Sequence, residues 1–182
     1  MFKMNQKGDV WVSTILYTLI GLAIIGSLIA VIQPRISESE NKRIADQTVQ
    51  SLNVLDDTIL RARESTGTRL EYKLNLDKGN LIIDGVNESI YWQADLSSPQ
   101  SQENMTINLS EGRMQALTVK SGALWNIKFT LNYKAYGINI TVNEKDDIKT
   151  LTPSSMPYSI WITNRGIQGT ENRTQQIDFS VD

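Results

Sequence analysis

Side chains able to do acid–base, nucleophilic or metal chemistry are sparse in this chain. It has no His and no Cys. That removes Ser-His-Asp triads, HExxH zinc sites, thiol nucleophiles and disulfide scaffolds. Three acids stand close together in Glu144, Asp146 and Asp147. They could hold a hard cation such as calcium, but they lack the spacing and mid-loop Gly of an EF-hand, and a solvated turn is the plainer reading. Asp56 and Asp57 occupy consecutive positions of a helical pattern and point apart, which is poor geometry for a carboxylate pair. Gly166-Ile-Gln-Gly169 has the wrong spacing for a phosphate loop and no Lys after it. No catalytic constellation results. The expectation is a protein that is not an enzyme and needs neither cofactor nor metal.

Two other patterns concern chemistry done to the chain. Asn87-Glu-Ser, Asn104-Met-Thr, Asn108-Leu-Ser, Asn139-Ile-Thr and Asn172-Arg-Thr fit the N-glycosylation pattern, a mild excess over what this composition gives by chance. Asn139 lies inside a strand pattern. The second is the peptide bond between Gly8 and Asp9, where a short basic segment with Lys3 and Lys7 meets a long apolar one.

The elements that carry these positions fall into two unlike parts. The chain has 182 residues, 40% of them hydrophobic, with 18 basic against 20 acidic residues. That suffices for one domain plus an appendage and not for two full cores. A formal charge of -2 argues against a partner bound by neutralising phosphates, so no nucleic acid is expected. From Val10 to Ile32 there is no charge, and the run is long enough as a helix to cross a bilayer. Its hydroxyls, Ser13, Thr14, Thr18 and Ser27, can bond back to helix carbonyls. Gly21, Ala23, Gly26, Ser27 and Ala30 are small. Ala23 with Ser27, and Gly26 with Ala30, are spaced to let two helix backbones approach closely. Lys3 and Lys7 favour a cytoplasmic amino end, with the rest of the chain outside; Arg35 on the far side pulls slightly the other way.

Pro34 predicts a kink or short break. Beyond it, Ile44, Thr48, Leu52, Leu55, Ile59 and Ala62 step at helical spacing, with Glu40, Lys42, Arg43, Asp46, Asp56, Asp57, Arg61 and Arg63 read as a solvated face. Thr66-Gly67 ends the helix. From Thr68 the period becomes two. Strands are expected at 69–76, 81–83, 89–92, 104–109, 114–120, 124–133, 138–142, 158–163 and 177–181, with surface loops at 96–103, 152–157 and 166–175. The fold class is α+β: a long N-terminal hydrophobic helix followed by an antiparallel β-sheet or β-sandwich domain. Trp92, Trp125 and Trp161 read as core or half-buried sheet residues, with a carbohydrate-stacking platform as the alternative.

Nothing resembling a secretory cleavage site follows Ile32, where the chain continues Gln33-Pro34-Arg35. Instead Lys7-Gly8-Asp9 followed by VWVSTILYTLIGLAIIG resembles the class III signal peptide and first helix of archaeal type IV pilin-like proteins and archaellins. The resemblance covers about the first sixty residues. It implies a leader at 1–8 removed by a prepilin peptidase, a membrane and filament-core helix at 9–33, its amphipathic continuation at 34–66, and an extracellular β-rich head at 67–182. It further implies an assembly ATPase, a membrane platform protein, a homo-oligomeric helical filament, and a precursor held in the cytoplasmic membrane before it reaches the cell surface. One departure concerns assembly. Many relatives place Glu at the fifth mature position, where this chain has Ser13. Asp9 could partly balance the new amine instead. The rivals are a single-pass membrane-anchored β-sandwich that binds a ligand, and a minor pilin that primes or tips a filament.

Overall fold

The structure, a computed structural model, describes residues 6–109, 113–168 and 174–182. Helix α1 runs Gln6–Arg63. It takes part in two compact units, Met1–Glu40 and Asn41–Asp182. The helix continues through residue 34, so of the kink or short break expected there the break does not occur. A proline removes one donor from the ladder, and the bonds on either side hold the rest.

In the second unit α1 is amphipathic for the expected reason. Leu52, Leu55, Ile59 and Ala62 are buried, and Ile44 is half-buried against the same core. Ala45 and Val49 broaden that stripe. Thr48 and Thr58 return their hydroxyls to the carbonyls of Ile44 and Val54 at 2.8 and 2.7 Å. The last turn is closed by side chains from the sheet. Asn164, buried, donates its amide to the carbonyls of Ala62 and Arg63 at 2.9 and 3.1 Å. Gln175 donates to Arg63 O as well. These carbonyls have no partner inside the helix, so a buried helix end needs such donors.

Ten strands follow: β1 Arg69–Leu74, β2 Asn80–Asp84, β3 Ser89–Leu96, β4 Thr106–Leu109, β5 Met114–Ser121, β6 Leu124–Asn132, β7 Ile138–Val142, β8 Ile148–Leu151, β9 Tyr158–Gln168 and β10 Thr174–Val181. They form a four-stranded sheet, β1-β9-β10-β7, and a six-stranded sheet, β4-β5-β6-β3-β2-β8. The six-stranded sheet is antiparallel throughout. In the other, β10 and β7 pair in parallel, which corrects the antiparallel expectation. The chain leaves β7 for β8 in the other sheet and returns through β9, so β10 reaches β7 from a distant connection. Two expected loops are shorter than predicted. β9 continues past Asn164 and Gly166, and β10 begins at Thr174. A register shift at Gln176/Ile177 opposite Gly166, at φ +84°, absorbs the irregularity as a bulge. β3 likewise extends to Leu96.

One contiguous core takes side chains from α1 and both sheets. Its largest member, Trp92, stacks on Phe129 at 5.6 Å between ring centroids and donates its indole N–H to Lys78 O at 2.9 Å. Gly79, at φ +76°, makes room for that ring: a Cβ there would lie 2.7 Å from the indole.

Candidate assembly surface

Between Trp11 and Gln33 the Met1–Glu40 unit presents an apolar surface that is exposed among the described residues. Every residue from Trp11 to Gln33 is exposed except Gly21, which is half-exposed. Fourteen of them, from Trp11 to Ile32, are large and apolar. At roughly 1 kcal/mol for each half-exposed side chain, leaving this surface in water is unfavourable by about 15 kcal/mol. That is as much as the whole stability of a typical domain. Covering this surface with apolar surroundings would be strongly favourable.

Two of its hydroxyls are satisfied within the helix. Thr18 donates its hydroxyl to Ile15 O at 2.8 Å, and Ser27 donates to Ala23 O at 2.7 Å. Ala23, Gly26, Ser27 and Ala30 fall on one helix face, being spaced three, four and seven apart, while Gly21 faces the other way. A shallow groove beside that face is lined by Ile20, Ala23, Ile24, Ser27, Leu28 and Val31. A Cβ placed on Gly21 or Gly26 meets no atom within 4 Å, so neither glycine is demanded by contacts inside the chain. Gly8 and Asp9 lie in the first turns of α1, and residues 1–5 lie outside the described residues.

In the Asn41–Asp182 unit, Asp56 departs from the solvated face expected for it and centres a polar cluster. Asp56 is buried. It accepts the Tyr133 hydroxyl at 2.9 Å and the Arg113 Nε–H at 2.7 Å. Asp57, its neighbour, is exposed, so the two acids do point apart. Burial, then the Asp56 charge and the bond to it, push the Tyr133 hydroxyl well above its ordinary range, with Arg113 opposing. The cluster ties α1 to Tyr133, just past the end of β6, and to Arg113, just before β5. A signal existed: Asp56 is four residues after Leu52 and three before Ile59, on the apolar stripe itself. Arg63 also departs from the expected solvated face, being half-buried with its Nε–H on Gln175 at 3.1 Å.

The glycosylation sites separate by environment. Asn87, Asn104 and Asn108 are exposed. Asn87 donates its amide to Asp84 Oδ2 at 2.8 Å in the β2–β3 turn. Asn104 precedes β4 with φ +56°, and Asn108 lies within β4. Asn139 is half-buried on β7; with its nitrogen toward Glu88 the amide donates to Oε1 at 2.8 Å and Oε2 at 3.2 Å. Such an amide is engaged in the fold and poorly placed to accept a glycan. Asn172 lies outside the described residues.

Glu88 is held at φ +52° and also accepts the Ile140 N–H at 2.5 Å, so one carboxylate from the β2–β3 turn caps the outer edge of β7. Burial raises its pKa above 4.5; Asp146 and Asp84 add to the rise, and the Ile140 bond and Lys134 oppose it. A carboxyl raised on folding contributes stability in full below its unfolded value and loses it as pH climbs through the folded value. Glu88→Gln is therefore expected to remove a contribution to Tm that is lost as pH rises above the ordinary carboxylate range. Thermal unfolding at several pH values checks this, and an unchanged slope contradicts it.

The remaining sequence candidates are not brought together. Glu144 pairs with Arg165 at 2.6 Å, and Asp147 Oδ1 accepts the Ile148 N–H at 2.8 Å. Among the described residues no group of three or more acids is placed to hold a metal. Trp92 is core, while Trp125 and Trp161 are half-buried on different sheets, under Lys120 and Arg69 respectively. They form no common platform. No family model, no curated protein and no solved structure matches this chain.

Proposed function

We propose that this chain is a structural subunit, a pilin, of an archaeal type IV pilus-like surface filament. In this reading it is cut between Gly8 and Asp9 and assembled by bundling of its N-terminal helices. The observation that carries the reading is the bare, charge-free surface from Trp11 to Ile32 on a helix that continues into a domain with its own core. Lipid solvates that surface in a precursor. Sister helices solvate it equally well in a bundle. Both surroundings are apolar, so the exchange never exposes the helix to water.

The leader fits the same logic. Lys3 and Lys7 would be costly to bury in a dry bundle, and cutting after Gly8 removes both. Asp9 then sits beside the new amine at the positive end of the helix, where a carboxylate is favourable. The reading implies a prepilin peptidase, an assembly ATPase and a membrane platform protein as partners, and a place on the cell surface where glycans at the exposed sequons add hydration. It assigns the chain no reaction. The same apolar helix would also suit a solitary membrane anchor, and a minor pilin would carry it too.

Insertion and assembly can be separated at the small-residue face. Gly26→Leu has room inside its own chain, so the variant is expected to fold and insert normally. It is expected to lower filament yield about tenfold or more, because a Leu holds neighbouring backbones apart. Membrane and sheared-filament fractions, compared by immunoblot, check this. Unchanged filament yield would show that this face does not pack against a sister helix.

A further inference from the structure

One end of the Asn41–Asp182 unit combines the point where α1 enters it with two loops that carry apolar tips. Asn41, buried and the first residue of the unit, ties that end together. Its amide donates to Ser97 Oγ, and its Oδ1 accepts from Lys78 Nζ at 3.4 Å. Ser97 directly follows Leu96, the last residue of β3, and Leu96 pairs with Trp125 in β6. The β5–β6 turn, with Ser121 opposite Leu124, therefore lies at this end. So does the loop at 152–157, whose Ser154 N–H donates to Leu76 O, two residues before Lys78. Leu124 and Met156 are exposed on these two loops. Trp125 is half-buried against the core, and Lys120 lies over its ring at 5.5 Å from the centroid. An exposed aliphatic tip beside an indole with an amine over it matches the headgroup layer of a bilayer, which is apolar on one side and wet and charged on the other.

The length of the chain supplies the partner. Only the residues from Gln33 to Glu40 separate the apolar run ending at Ile32 from Asn41. That stretch covers about 14 Å as a helix and at most about 30 Å fully extended. A bilayer that takes in the run Trp11 to Ile32 therefore keeps its headgroups within reach of the Asn41 end, whatever angle the unit adopts. Val86, also apolar and exposed, sits on the β2–β3 turn at the other end of β3, about 25 Å farther on. From this we infer that the Asn41 end of the unit docks on the headgroup layer of the membrane that receives its own helix. Leu124 and Met156 enter the layer, and Lys120 meets the lipid phosphates. The inference rests on the apolar run entering a bilayer, for which α1 is long and apolar enough. It holds for a pilin precursor and for a solitary anchor alike, and it concerns the chain before any helix bundle forms.

The chain has no cysteine, so a single label can be placed at will. Full-length chain is reconstituted in vesicles of phosphatidylcholine and phosphatidylglycerol with a fluorophore on Leu124→Cys, Met156→Cys or Val86→Cys. Lipid carrying a nitroxide on its headgroup is expected to quench the first two about threefold or more beyond the third, which β3 holds about 25 Å away. Adding Leu124→Asp to the Met156→Cys chain is expected to bring its quenching down to the level at Val86. Equal quenching at positions 124, 156 and 86 would overturn the inference. Quenching at 156 that survives Leu124→Asp would overturn it too, because the tether alone then accounts for it. Ile20→Cys, read with a nitroxide deep in the acyl chains, keeps two failures apart. No quenching there means that the helix never entered the bilayer, and the reading beneath the inference falls with it. Quenching at 20 with none at 124 or 156 overturns the docking alone.

Discussion

Asp56→Ala is expected to lower the unfolding free energy of the Asn41–Asp182 unit by about 3 kcal/mol. The carboxylate serves two partners of different exposure. Tyr133 is 1% exposed, and its hydroxyl loses its acceptor with no water to replace it. An orphaned buried hydroxyl costs about 1–3 kcal/mol. Arg113, with a side chain 29% exposed, can turn to solvent, which keeps the loss toward the lower end for a broken buried pair. The cavity left beside Leu52, Leu55 and Ile59 adds a smaller amount. Asp57→Ala, one residue on and exposed, is expected to change stability by less than about 0.5 kcal/mol. Urea unfolding of the full chain in detergent compares the two. A loss at Asp56 below about 1 kcal/mol would mean that the cluster contributes little to holding α1 on the sheets.

Gly8→Val is expected to leave the precursor uncut in the membrane and to deplete it from filaments about a thousandfold. Gly puts no side chain beside the bond to be cut, whereas Val places a branched side chain there that a protease must accommodate. The uncut chain keeps Lys3 and Lys7 ahead of its apolar helix. Burying a lysine in an apolar bundle costs roughly 2.5–3.5 kcal/mol, and two of them, roughly 5–7 kcal/mol together, exceed the about 4 kcal/mol that a thousandfold loss needs. The mass of the membrane-bound chain and its share of the sheared fraction are the readouts. Normal filaments built from this variant would contradict the proposed cut.

What was legible in the sequence follows from how local each signal is. The apolar helix surface from Trp11 to Ile32 needs only the absence of charge over a long run. The stripe at Leu52, Leu55, Ile59 and Ala62 needs only helical spacing, and all four are buried. Most strands announce themselves by alternation, as Tyr72 and Leu74 do inside β1. Long-range facts were not legible. Asp56 looked solvated because its partners stand 57 and 77 residues away. β8 was missed because three of its four residues are exposed and only its pairing with β2 makes it a strand. The parallel partnership of β7 and β10 depends on a connection that crosses to the other sheet and back, which no local pattern encodes. Asn139 reads as a glycan acceptor by motif, and only the arrival of Glu88 from a distant turn shows its amide already engaged.

The central claim is that the oily helix, stripped of its cationic leader, exchanges lipid for its sisters. Mass spectrometry of the N-terminal peptide from filaments sheared off native cells tests it most directly. The account predicts a mature chain that begins at Asp9. A chain that begins at Met1, or one confined to the membrane fraction and missing from every filament, would contradict it.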